Sequence, residues 1–241
     1  MANTALSPLL RPRRVLLLAL AAAVLASGCA SSRSAYFSGR GAPGAAGGQH
    51  FAAGAVKDNR PQTWVSDHER VRRLRAHYLR TRTVEVALRR ARPYLPTIFE
   101  ELRQRSLPVE LAYLPMLESS FKNRADSGHA RGLWQFTRQT ARAMGLQVGF
   151  MVDERLNWRK ATGAAARYLD QLGERFNYNW ELALAAYNGG PNYVEGAMRA
   201  QRTWNFWNLR LRQETSDYVP RFIAMVQVAK QKYPHLMMAT L

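Results

Sequence analysis

The stretch that decides the fold is Leu107-Pro108-Val109-Glu110-Leu111-Ala112-Tyr113-Leu114-Pro115-Met116-Leu117-Glu118-Ser119-Ser120-Phe121. Proline near a first helical turn gives up a backbone donor that the helix does not use, so Leu107-Pro108 reads as a helix start. Leu111, Leu114, Met116 and Leu117 are the apolar residues of this helix, which is expected to end around Glu118. Pro115 removes a backbone donor inside it and is expected to kink the last turn. A carboxyl thus stands at the end of an apolar helix, followed by two hydroxyls. Burial disfavours the charged form, so such a carboxyl keeps its proton near neutral pH. A proton held there is available to a leaving oxygen.

Working outward, helical spacing recurs on both sides. Val71, Leu74 and Tyr78 form one stripe, Val84, Leu88 and Ala91 a second, and Leu95, Ile98, Phe99 and Leu102 a third. Downstream, Thr137 to Met144 reads as a helix stopped by Gly145. Asn157 caps a helix over Arg159 to Phe176, with Ala165, Tyr168, Leu169, Leu172 and Phe176 on one face. Asn179 caps Trp180 to Tyr187, which stops at Gly189-Gly190, and Tyr193 to Ala200 adds a short helix. Glu214 to Tyr233 is the last, with Pro220 early in it. No alternating strand and no internal repeat stands out. The fold class expected is all-α.

The N-terminus carries an address. Arg11, Arg13 and Arg14 precede an apolar run from Val15 to Leu25, then Ala26-Ser27-Gly28-Cys29. A basic start, a short apolar core and small residues make a secretory leader. The run is shorter than the roughly 20 apolar residues a membrane span needs. Cys29 is the only cysteine, so no intrachain disulfide forms. Leu25-Ala26-Ser27-Gly28-Cys29 resembles the cleavage box of bacterial lipoproteins, which implies acylation of Cys29 and a lipid anchor. Ala30 follows it, which by the same resemblance favours the outer membrane, on its periplasmic face. The expected organisation is a leader over 1–28, a Gly/Ala/Ser-rich tether over 29–56, an N-terminal helical segment over 57–106 and a catalytic domain over 107–241.

The 241 residues carry a formal charge of +18, with 47% hydrophobic and 22% charged residues. That balance excludes a generally disordered chain and favours polyanionic partners. Nucleic acid is not expected, because the leader points to export and no recognition module is present. The cell wall, with acidic peptide stems and lactyl groups, fits both the charge and the compartment.

A single glutamate at helical spacing is usually a solvated surface group. Glu118 differs in its apolar neighbours, the adjoining hydroxyls, and the indole and amide of Trp134 and Gln135 in Gly132-Leu133-Trp134-Gln135-Phe136. Trp134, Gln135, Tyr187 and Asn188 supply the amides, hydroxyl and aromatic faces that sugar sites need. Taken singly, each of Trp134 and Tyr187 reads more readily as a core aromatic than as a ligand contact.

Taken together, the stretch over 107–121, Ser127, Gly132 to Phe136, Asp153-Glu154-Arg155, Ala186-Tyr187-Asn188-Gly189-Gly190 and Glu214-Thr215-Ser216-Asp217-Tyr218-Val219-Pro220 closely resemble the signatures of lytic murein transglycosylases of the membrane-bound D type. The resemblance covers about Trp64 to Ala229. It implies a lysozyme-like, mainly helical domain with an N-terminal helical extension and a groove for peptidoglycan glycan strands. It implies that Glu118 is the single catalytic acid and base for the bond between N-acetylmuramic acid and N-acetylglucosamine. Protonated Glu118 would release the leaving oxygen; the carboxylate would then deprotonate the muramic C6 hydroxyl, leaving a 1,6-anhydromuramoyl end. Because the nucleophile belongs to the sugar, the second carboxylate of ordinary glycosidases is unnecessary. No metal or cofactor is expected.

By the same resemblance, Ser127 and Gln135 line the sugar site, Tyr187 points its hydroxyl towards Glu118 or the sugar, Asn188 shapes the groove, and Glu214 orients partners. Glu214 reads equally as a helix N-terminal acid, and Ser119, counted with the substrate contacts, reads also as a helix-end cap. Two positions depart from the pattern: His129 stands where glycine is common, and Arg212 where proline is frequent. The chain ends at Leu241 without room for a lysin-motif repeat, so affinity is expected from the groove, the positive surface and the tether. Two alternatives remain open: a hydrolytic muramidase on the same fold, and a non-catalytic peptidoglycan-binding lipoprotein.

Overall fold

In the computed structural model the described residues are Trp64 and 66–237. They belong to one unit of the chain, Phe51–Leu241. The leader, the tether and the acylation expected at Cys29 lie outside the described residues. Among those described, helices run over Glu69–Leu79 (α1), Thr83–Ala91 (α2), Leu95–Arg103 (α3), Leu114–Glu118 (α4), Arg138–Ala143 (α5), Trp158–Arg175 (α6), Trp180–Gly189 (α7), Pro191–Gln201 (α8) and Gln213–Lys232 (α9). The expected all-α class holds. Among the described residues the sheet is an antiparallel hairpin of two-residue strands, Ala130–Arg131 (β1) and Phe136–Thr137 (β2). None of the helices is long and apolar enough to cross a membrane.

The apolar stripes meet in one core. Val71, Val84, Leu88, Leu95, Ile98, Leu111, Leu114, Leu169, Phe222 and Val226 are all sealed from solvent, so helices on both sides of Leu107 share it. Asn157 and Asn179 cap α6 and α7 as their sequence positions predict, accepting from the N–H groups of Lys160 and Leu182.

The stretch over 107–118 is not one kinked helix. Val109–Tyr113 forms a 3₁₀ turn, and α4 begins afresh at Leu114. The physical reason is Pro115. It has no N–H to give to the carbonyl of Leu111, so an α-helix through this point would lose a bond and meet the proline ring. Restarting the helix places Pro115 in its first turn, where the missing donor costs nothing.

α9 solves a similar problem differently. Pro220 lies inside it and leaves the carbonyl of Ser216 without its helical donor. Arg70 of α1 supplies one: its Nη2 donates to that carbonyl at 2.6 Å and to Asp217 Oδ1 at 2.8 Å. The break in one helix therefore becomes the docking point of another. α7 also approaches α9 closely, at Gly189, where an added Cβ would lie 2.8 Å from Thr215 Oγ1.

Candidate active site

Glu118 is the last residue of α4, and the chain leaves it abruptly. Ser120 and Phe121 are both left-handed, at φ 50° and 55°, a conformation that costs a non-glycine residue about 1–2 kcal/mol. The turn sends Phe121 into the core, 2% exposed, and its N–H donates to Pro115 O at 3.1 Å. Ser119 is buried, and its hydroxyl donates to Leu133 O at 2.8 Å. The end of α4 is thereby pinned to the loop of the β1–β2 hairpin.

That hairpin is braced from its far side. Arg155, 2% exposed, binds Asp153 through Nε–Oδ1 at 2.8 Å and Nη2–Oδ2 at 2.7 Å, and its Nη1 donates to Phe136 O at 3.1 Å. Only glycine fits at Gly132, since φ is 84° and a Cβ would sit 2.0 Å from Arg155 O. The motif Asp153-Glu154-Arg155 is thus a clamp on the hairpin. Beyond it, the Gly149–Val152 turn projects Phe150 and Met151 fully into solvent.

Three further side chains converge on Glu118. From α9, the Tyr218 hydroxyl donates to Glu118 Oε1. From α7, Tyr187 donates to Trp134 O at 2.8 Å while lying close enough to feel the charge of Glu118. Glu214, at the start of α9, adds a second negative charge nearby, and its Oε1 is 3.5 Å from Asn188 Nδ2. Glu118 is half-buried, with part of the residue reaching solvent. Burial pushes its pKa up to about 7; the Tyr218 hydrogen bond pulls it down and Glu214 pushes it further up. Near neutral pH the group therefore populates both forms. The phenols of Tyr187 and Tyr218 are held protonated, chiefly by burial and then by the charge of Glu118.

The other expected contacts are placed as follows. Trp134 is 1% exposed, and its indole donates to Thr162 Oγ1 at 3.0 Å. An indole face turned to a sugar is corrected to a core aromatic, because a side chain packed on all sides has no face left to stack. In the hairpin region, Gln135 Nε2 donates to Ala125 O and Gly132 O, and the exposed Ser127 bonds the backbone of Ala130 through Oγ. Ser119 Oγ bonds the hairpin at Leu133 O and also lies 3.3 Å from Pro115 O of its own helix. His129 is exposed. Arg212 donates its N–H to Tyr193 Oη at 2.6 Å, a bond that a proline there would lack. Tyr218 was absent from the expected site residues. The signal was available: it follows Glu214 by four residues, which places both on one face of a helix.

A carboxyl near its midpoint at neutral pH, beside two phenols on a helical scaffold, is suited to proton transfer. Residues 96–209 match the Transglycosylase SLT domain family, so this part of the chain carries a domain of that family. The membrane-bound lytic murein transglycosylase D of Escherichia coli (strain K12) is 35% identical over 173 residues, 69% of this chain and 38% of that protein. A protein of Alteromonas sp. (strain M-1) named for tributyltin chloride resistance is 41% identical over 106 residues, 44% of this chain and 51% of that one. An inactive mutant of the lytic transglycosylase Slt from Pseudomonas aeruginosa superposes with a TM-score of 0.45 at 25% identity, over 58% of this chain and 24% of that chain. The chain thus spans well under half the length of the E. coli relative.

Proposed function

We propose that this protein is a peptidoglycan lytic transglycosylase in which Glu118 alone carries both proton transfers. The observation that carries the reading is the carboxyl of Glu118, its pKa raised to about 7 and hydrogen-bonded by Tyr218. The protonated acid donates to the glycosidic oxygen between N-acetylmuramic acid and N-acetylglucosamine as the bond breaks. The resulting carboxylate, stabilised by the Tyr218 hydroxyl, accepts the proton of the muramic C6 hydroxyl as that oxygen attacks the anomeric carbon. The product is a 1,6-anhydromuramoyl end and no water is consumed. Tyr187 holds the hairpin against α7, and Glu214 tunes the proton affinity of Glu118 and orients Asn188. The name of the E. coli relative, with its terms membrane-bound and murein, supports this substrate. The leader and Cys29 support a lipid-anchored position on the periplasmic face of the outer membrane; Cys29→Ser then moves the protein out of the membrane fraction.

Mass spectrometry of digested peptidoglycan tests the chemistry. Anhydro ends are expected. Reducing muramic ends alone would replace this reading by hydrolysis, and an undigested wall by simple binding.

A further inference from the structure

Glu118 uses one end of α7, where Tyr187 and Asn188 stand. At the other end, around the cap Asn179, the surface forms an open cavity of about 520 Å³, a size typical of small-ligand sites. None of the catalytic side chains lines it. Its floor is apolar, formed by the buried Phe176, Leu182 and Met198. On its rim, Trp204 leaves 56% of its surface exposed, an unusual investment for an indole with apolar surface beside it.

The rim charge is unbalanced. Arg175 is fixed by Glu195, with Nε–Oε1 at 2.7 Å and Nη2–Oε2 at 2.8 Å, and by Asn192 Oδ1 at 2.6 Å. That fork uses up the carboxylate. Arg199 reaches it only at 3.8 Å, with its side chain 73% exposed. Two guanidiniums thus face one carboxylate, and Arg199 is open to a second anion. An apolar floor, an indole lip and an available guanidinium suit a short peptide with small alkyl groups and free carboxylates. They suit a glycan less well, since its uncharged rings do not call for the cation.

We propose that this cavity binds the acidic peptide stem of peptidoglycan, with a stem carboxylate on Arg199 and its alkyl part between Trp204 and the apolar floor. The inference rests on the wall polymer being the substrate. The site would favour strands that still carry their peptides.

The test uses the full chain carrying Glu118→Gln, so that binding is read without turnover. A synthetic tetrapeptide of alanine, γ-glutamate, diaminopimelate and alanine is titrated calorimetrically, beside the same peptide with amidated carboxylates and a chitotetraose control. Saturable binding of the free peptide is expected, weakened at least about tenfold by amidation and by Arg199→Glu. Trp204→Ala should weaken it similarly; both residues are exposed, so circular dichroism should show the fold retained. No binding of the peptide, equal binding by the amidated form, or unchanged affinity in both variants overturns the proposal, as does binding of chitotetraose alone. The reading of Glu118 is scored separately, by turnover of peptide-free glycan strands with Glu118 intact. There Arg199→Glu should match wild type, and an inactive wild type would sink the enzyme while leaving a peptide-binding result standing.

Discussion

Tyr218 and Glu118, a hundred residues apart in the chain, meet in a hydrogen bond in which the phenol donates to the carboxyl. The bond favours the ionised acid, whereas burial favours the neutral one, and the two effects leave the group near neutral pH. Tyr218→Phe removes only the donor. A hydrogen bond to a charged group contributes about 1.5–3 kcal/mol, and 1.36 kcal/mol corresponds to one pKa unit. The pKa of Glu118 should rise by about one unit or more, and with it the pH at which activity falls on the alkaline side. The pH profile of kcat/KM on solubilised glycan strands checks this; a profile that drops in height without moving would assign Tyr218 to shape alone.

The raised pKa of Glu118 also has a cost in stability. The folded acid binds its proton up to about pH 7, the unfolded one only to about 4.5. Between those values the native state holds the extra proton, so stability falls as pH rises through this window and is level above it. The shift corresponds to about 3 kcal/mol, as an order of magnitude. Glu118→Gln removes the titration. The variant should lose about 10²–10⁴-fold in activity yet be more stable than wild type at pH 8, with the two converging near pH 4.5. Urea denaturation at both pH values measures the crossover, and equal stability at pH 8 would argue against a raised pKa.

How much of this was legible in the sequence depends on what each signal encodes. Caps at Asn157 and Asn179 act within one turn, so residue type and spacing suffice to place them. The apolar stripes likewise announce which faces are buried. Pro115 was read as a kink because periodicity shows which residues share a face, not whether the chain tightens to a 3₁₀ turn. Trp134 and Tyr187 are harder still. An aromatic that stacks on a sugar and one that seals a core have the same local context, and only the tertiary partner, Thr162 for the Trp134 indole, separates them. Arg70 on Ser216 is of the same kind, a contact across 146 residues that no local pattern announces.

The Trp134 assignment can be checked directly. Trp134→Phe keeps an aromatic ring but deletes the N–H that bonds Thr162 and leaves space in a sealed site. A loss of about 1–3 kcal/mol in stability is expected, with KM on glycan strands unchanged. A rise in KM at unchanged stability would return this indole to the substrate groove.

The contact between Arg70 and Ser216 makes a conditional prediction. If Arg70 matters because Pro220 leaves a carbonyl unpaired, its value should shrink once the helix can pair that carbonyl itself. Arg70→Ala should cost about 1–2 kcal/mol in the wild-type background. Combined with Pro220→Ala, which restores an N–H in register with Ser216, the same change should cost measurably less. A double-mutant cycle by urea denaturation isolates the coupling, and additive effects would reduce Arg70 to its ion pair with Asp217.

The clamp behind the hairpin should be the most sensitive element remote from the chemistry. Asp153 holds a guanidinium that is almost wholly buried, and both of its oxygens are engaged. Burial alone would cost the charged Arg155 several kcal/mol, and the carboxylate offsets it. Asp153→Asn preserves size and one acceptor but removes the charge, leaving the buried cation uncompensated. A loss of about 3–5 kcal/mol is expected, large against the 5–15 kcal/mol typical of a domain. Because Arg155 Nη1 also holds Phe136 O, loosening should reach Leu133, where Ser119 anchors the end of α4. Hydrogen exchange should therefore show the 130–137 backbone opening ahead of α9, and activity should fall more than the folded fraction does. Activity that tracks the folded fraction would confine the clamp to stability and break the link from Arg155 to Glu118.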